Sequence, residues 1–272
     1  MPSSFKRLIH VGLLCVAVCS SPGSGQEIST ITASVFIDGK QHEPLNHITF
    51  SGEPRLHNLV AQIPGSHQFY WPSARVCVPR LQKKLLLKRK ALLVQLELIA
   101  GIYERQGANE SLDQALKLKE RISHWPLFAT IQHGIEPDNL LGNARQNWAL
   151  TNKYSHYTLA LLSVPKYVTY VGLFNNAGRK PYRYKLLADA LENTVSFTDG
   201  NLFEIDLQGR VIAITPANAW KIRQQPGSLF FRGIPQSELP SGFSDINNKA
   251  VELLRYWQPG KELNQTSSPC QV

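Results

Sequence analysis

YTLALLSV (157–164), KYVTYVGLF (166–174), YKLLADALENT (184–194), LFEIDLQGRVIAIT (202–215) and SLFFRGI (228–234) are the segments whose reading decides the fold. The first two are rich in β-branched and aromatic residues and hinge at Pro165, which reads as a pair of strands. The third has the spacing of a short helix. The fourth is a hairpin with Gln208-Gly209 at its turn. The fifth is a closing strand behind Pro226-Gly227-Ser228. A helix on a small mixed sheet in this order is expected to be a β-grasp-like module spanning Tyr157 to Gly233. Such a module offers a recognition surface and carries no evident catalytic group.

The same order is legible upstream. A strand from Thr30 to Ile37 turns at Asp38-Gly39 into a partner from Gln41 to Phe50, and a short helix with Leu56, Leu59 and Val60 starts near Pro54. The chain therefore reads as two diverged copies of one module. Within the first copy lies a long helix opened by Pro79. Leu81, Leu85, Leu92, Leu96 and Ile99 recur along it near helical spacing, and Gly107 ends it. Ser111-Leu112-Asp113-Gln114 reads as a capping box that starts a second helix, ending near His124. The two form an antiparallel helical hairpin.

The expected class is α+β, with two β-grasp-like domains at 26–150 and 151–235. The helical hairpin is inserted in the first, at about 79–124. A Pro- and Ser-rich linker and a C-terminal amphipathic helix fill 236–258, and a disordered tail fills 259–272. Ile246, Ala250, Leu253, Leu254 and Trp257 share one face of that last helix.

Residues 1–25 carry a cationic start (Lys6, Arg7), an apolar run from Leu8 to Val18 and small residues to Gly25. That is the layout of a cleavable secretory signal. The apolar run is shorter than the ~20 residues that span a bilayer, and no other stretch is longer, so no transmembrane segment is expected after cleavage. The formal charge of +9 falls to about +7 with the signal removed. A cationic excess of this size favours anionic partners. An exported chain without nucleic-acid motifs is not expected to bind nucleic acid. Cys77 and Cys270 survive cleavage, and an oxidising compartment permits a disulfide between them. The alternative is a buried Cys77 thiol and a free thiol in the tail.

Catalytic chemistry finds little footing. The eight histidines form no HExxH pair, and no G-x-S-x-G elbow or Gly-rich phosphate loop is present. No cofactor and no metal are expected. Glu136 and Asp138 are two carboxylates in one turn, a pattern available to acid–base work but commoner as turn chemistry. The basic run Arg80 to Lys90 reads as a solvated helix face or as a surface for a membrane or an acidic polymer. Arg179, Lys180 and Arg183, in a turn before a helix, are candidate binding residues, because loops carry function more often than helix faces do. Trp257 is the fourth candidate, on a helix whose apolar face needs a partner in this chain or another. Trp220 is expected to pack beneath the final strand.

Several short motifs in order resemble the GfcC family of capsule biosynthesis proteins. They are Tyr70-Trp71-Pro72-Ser73-Ala74, Ile135-Glu136-Pro137-Asp138, Tyr157-Thr158-Leu159, Val168-Thr169-Tyr170-Val171-Gly172, Val211 to Pro216, Asn218-Ala219-Trp220 and Pro226-Gly227-Ser228 with Leu229 to Gly233. The resemblance covers nearly the whole chain beyond the signal. It implies two β-grasp domains, an inserted helical hairpin and a C-terminal amphipathic helix. It also implies a non-enzymatic periplasmic role in Gram-negative capsule or O-antigen capsule assembly and export. The implied partners are the polysaccharide or an outer-membrane exporter component. The alternative is a periplasmic glycan-modifying enzyme using Glu136 or Asp138. The tail with Cys270 and the His124-Trp125-Pro126 stretch depart from the family pattern.

Overall fold

The structure is a computed structural model; it describes residues 30–38, 40–43, 45, 47–65, 68–183, 186–191 and 200–258. The signal, Gly39, the Pro259-Gly260 stop, the tail and Cys270 lie outside the described residues. Strand β1 (Thr30–Ile37) pairs antiparallel with β2 (Lys40–Gln41) and with β3 (Ile48–Ser51). Helix α1 (Leu56–Val60) follows, burying Leu56, Leu59 and Val60. After β4 (Arg75–Cys77), a 3-10 turn at Pro79–Leu81 leads into α2 (Gln82–Gln106). Helix α3 (Asn109–Ser123) returns antiparallel, and β5 (Thr130–His133) and β6 (His156–Leu161) complete the first half.

The second half contains β7 (Tyr167–Gly172), β8 (Gly178–Pro181), α4 (Leu187–Leu191), β9 (Leu202–Ile205) and β10 (Val211–Ala213). It closes with α5 (Pro216–Ala219), β11 (Leu229–Arg232) and α6 (Ile246–Leu254). The chain is thus α+β with two mixed sheets and, among the described residues, six α-helices.

The two sheets share one strand order. The first runs β2-β1-β6-β4-β5, with β3 also on β1; the second, read from its other edge, runs β8-β7-β11-β9-β10. In each, the last strand inserts parallel to the first and antiparallel to the third. A tight turn at Asp206 to Gly209 joins the third and fourth strands of the second sheet. At the equivalent place the first sheet carries the α2–α3 hairpin.

This topology corrects one expectation. YTLALLSV and KYVTYVGLF do not pair with each other. β6 pairs with β1 and β4, and β7 with β8 and β11. The chain changes sheet between Leu161 and Tyr167, later than residue 151. Both strands have strong β propensity, and propensity does not choose a partner. A second correction concerns α3, which begins at Asn109. Ser111 is already inside the helix, where its hydroxyl donates to Glu238.

The three largest buried clusters among the described residues hold the molecule together. Ile31, Val35, Leu56, Leu59, Val76 and Tyr157 lie between the first sheet and α1. Val168, Tyr170, Leu187, Leu202 and Phe230 lie between the second sheet and α4. The largest cluster covers the opposite face of the second sheet, through Val171, Phe203, Ile205, Leu229 and Phe231. Against that face pack Leu92, Leu96 and Ile99 of α2, Leu118 and Ile122 of α3, and Leu253 and Leu254 of α6. The alternation Leu229–Phe230–Phe231 sends successive side chains to opposite layers, as the pleat requires. The hairpin inserted in the first sheet is therefore the cover of the second.

Candidate functional site

Strand β7 ends at Gly172, whose φ is 80°. A Cβ there would lie 2.2 Å from the Arg232 carbonyl oxygen of the neighbouring strand, so only glycine fits. The chain then loops through Phe174-Asn175-Asn176-Ala177 and returns as β8. Arg121 of α3 reaches across and donates from Nη1 to the carbonyl oxygens of Gly172 and of Phe174, the latter at 2.9 Å. One guanidinium thus fixes the loop against the helical hairpin.

Around this loop lie three neighbouring cavities. The first, about 330 Å³, is lined by Tyr170, Phe174, Asn175, Lys180, Arg183 and Gln224, with Asp189 at its side. The second, about 470 Å³, lies between α3 and β7 and includes Lys117, Arg121 and His124. The third, about 220 Å³, includes Asp113, Lys117, Asn175 and Arg232. Tyr170, Asn175 and Lys117 each line two of them, so the three adjoin in a grooved surface around the loop.

The first cavity has a defined chemistry. Phe174 sits edge-on to Tyr170 at 5.0 Å between ring centroids, and Phe230 stacks on Tyr170 at 5.4 Å. Gln224 Nε2 donates to the Tyr170 hydroxyl at 2.9 Å, and burial raises that phenol above its ordinary range. The wall is therefore aromatic and held in place. Amides of Asn175, Asn176 and Gln224 stand beside it. Among the described residues, neither Lys180 nor Arg183 has a carboxylate within ion-pair distance. Two such cations beside an aromatic wall and amides suit an anionic, hydroxyl-rich ligand.

Lys180 and Arg183 thus line the groove together. Arg179 lies beside Tyr167, its guanidinium 4.4 Å from the centre of that ring, and lines none of these cavities. Trp257 is 5% exposed, meets Trp125 edge-on at 6.5 Å and bridges to Leu127, so its partner is this protein's own body. Trp220, expected beneath the final strand, is instead 55% exposed at the end of α5. Its neighbour Ala219 takes the buried position that a short turn of helix leaves, and Trp220 faces solvent. Glu136 and Asp138 are both exposed, and Glu136 accepts from Asn139 Nδ2 at 2.8 Å, which is turn chemistry. Cys77 is disulfide-bonded; Cys15, Cys19 and Cys270 lie outside the described residues. Sequence reasoning missed Tyr170, Phe174, Gln224 and Lys117. The available signal was Phe174-Asn175-Asn176, a turn directly after a strand that changes from apolar to amide.

A second polar cluster lies where the two halves meet. Arg75 of β4 is 5% exposed beside Asp206 of the β9–β10 turn. Burial lowers its guanidinium to about 10, against the pull of Asp206. A Cβ on Gly209 would stand 2.8 Å from His133 Nδ1, so turn and strand touch. Burial first, then Arg75 and Arg255, lowers His133 to about 3. Glu204 on β9 is raised to about 7, mainly by burial, with Ser228 pulling the other way. Asp206 is itself held by Arg210 Nε at 2.6 Å. These groups are arranged as a seam and line no cavity described above.

Residues 29–160 match the family described as Capsule biosynthesis GfcC, N-terminal, a span that ends within β6 and so coincides with the first sheet. Over that span, just under half of the chain, the sequence is similar to the GfcC family of capsule biosynthesis proteins. It is also similar to the uncharacterized protein YjbG of Escherichia coli (strain K12), 27% identical over 233 residues, which are 82% of this chain and 88% of the relative. The match points toward involvement in capsule polysaccharide assembly. No helix among the described residues is long and apolar enough to cross a membrane.

Proposed function

We propose that this protein is a non-enzymatic periplasmic accessory of capsule or O-antigen capsule assembly and export, and that it holds an acidic glycan strand in the groove around the β7–β8 loop. The observation that carries the reading is the pairing of Lys180 and Arg183 with the Tyr170–Phe174 wall in one cavity. Sugars present apolar faces that pack on aromatic rings, and uronate or phosphate groups need cations. The strand order common to both sheets supports reading each as a β-grasp domain, the two joined at 162–166, with α6 as the C-terminal amphipathic helix. The signal-like start of the sequence supports the exported location in this reading, and an exporter component is a second candidate ligand for the same groove.

The test is titration of the protein with oligosaccharides cut from acidic capsule, followed by calorimetry. Lys180→Ala and Arg183→Ala are each expected to weaken binding about tenfold, the scale of a lost charge-assisted contact, with Tm unchanged. Absence of binding to acidic fragments at low salt, or equal binding by the double variant, would refute the glycan reading. Retention of an exporter subunit by the unsubstituted protein alone would move the groove to a protein ligand.

A further inference from the structure

The outer face of α2 is not explained by folding. Leu87, Val94 and Leu98 are 58%, 52% and 55% exposed. Their spacings of seven and four residues place them within about 40° of one another on the helix. Leu85, Leu92, Leu96, Ile99 and Tyr103 occupy the opposite, buried side. The exposed stripe is flanked by cations: Lys83, Lys84, Lys88 and Lys90 are all exposed. Residues 82–96 contain no acid at all. The first turn carries no acidic residue, so two lysines face the positive end of the helix dipole, where cations disfavour the helix. The two arginines of the basic run serve the fold instead: Arg89 donates to the Trp125 carbonyl oxygen and Arg80 to that of Lys153, both at 3.0 Å.

We propose that this face is a docking surface for an anionic lipid bilayer, with α2 lying in the plane of the interface. The apolar stripe needs a nonpolar phase, and the lysines on both shoulders need anions around it. A bilayer of acidic lipids supplies both at the right depth, with lysine stems reaching up to the headgroups. A polysaccharide would satisfy the lysines but leave the stripe in water. A second copy meeting this face about a twofold would set lysine against lysine. The groove of the proposed function lies on α3, β7 and β8, so the two surfaces involve different residues and are independent.

The experiment is co-sedimentation of the purified protein with vesicles of phosphatidylcholine, with and without phosphatidylglycerol. Binding to the anionic vesicles at low salt and its decline with added salt are expected. Each of Lys83→Gln, Lys84→Gln, Lys88→Gln and Lys90→Gln is expected to weaken it by ~5-fold. Leu87→Asn, Val94→Asn and Leu98→Asn together are expected to abolish it with Tm unchanged, since all three side chains are exposed. In a separate variant, Val94→Trp is expected to be quenched by brominated lipid tails. Three outcomes overturn the proposal: no binding to anionic vesicles, binding that survives the triple apolar variant, or equal binding to neutral vesicles. A concentration-dependent dimer that the triple variant dissolves would give the face to a second copy, and binding of an acidic glycan that all four glutamine variants lose would give it to the polymer. Either also overturns the proposal.

Discussion

Gly172 shows how much one position can decide. Its positive φ and its approach to the Arg232 carbonyl end β7, open the Asn175-Asn176 loop and so create the first cavity. Gly172→Ala is expected to cost several kcal/mol, on the order of 3–5, because both the backbone conformation and the contact oppose a side chain. Chemical denaturation checks it. Glu204 gives a prediction in pH. Its unfolded carboxyl titrates near the ordinary 4.5 and its folded one at about 7. Folding therefore takes up a proton between those values, and the stabilisation from the buried acid is complete below about 4.5 and lost as pH rises through about 7. Glu204→Gln is expected to gain on the order of 2 kcal/mol at about pH 8 and little at about pH 4. His133 acts in the opposite sense. Its folded value is lowered to about 3, so its contribution is complete above about 6.5 and lost as pH falls toward 3.

Among elements, α3 couples the groove to the hairpin through Arg121. Arg121→Ala is expected to raise amide exchange in residues 172–177 at least tenfold while β9 and β11 stay protected; a uniform rise across the second sheet would contradict a local role. The loop after β11 is held in a comparable way. Asn247 of α6 accepts from Ile234 N–H at 3.1 Å and donates to Ile234 carbonyl at 2.7 Å. Helices were the elements best announced by sequence. Pro79, the leucine spacing and Gly107 marked α2 closely, because caps and periodicity are local signals. The start of α3 was misplaced by two residues because Ser111, a good cap, serves Glu238 instead. Trp220 was misassigned because aromatic character says nothing about which way a short helix turns its last residue.

On the scale of the whole molecule, strand runs were legible and their partners were not. Pairing is decided by contacts far apart in sequence, and β6 sits between β1 and β4 rather than beside β7. The same limit applies to the groove. Lys180 and Arg183 were visible as a basic turn, whereas Lys117 joins them only because α3 packs on β7. Trp257 shows how tightly the parts are joined, since its ring lies with Trp125 and Phe231 among residues of both helices and the second sheet. Trp257→Ala is expected to destabilise by about 3–5 kcal/mol. It is also expected to lower a single thermal transition instead of splitting it in two, which calorimetry would register.

The exchange of covers between the halves has a consequence in time. Residues 82–123 leave the ribosome well before the strands they shelter, and Leu92, Leu96, Ile99 and Leu118 wait without a partner until Phe203 and Phe231 arrive. The chain cannot be completed one half after the other. Its first half exposes those apolar side chains while its second is still being made, so late folding suits it better than early folding.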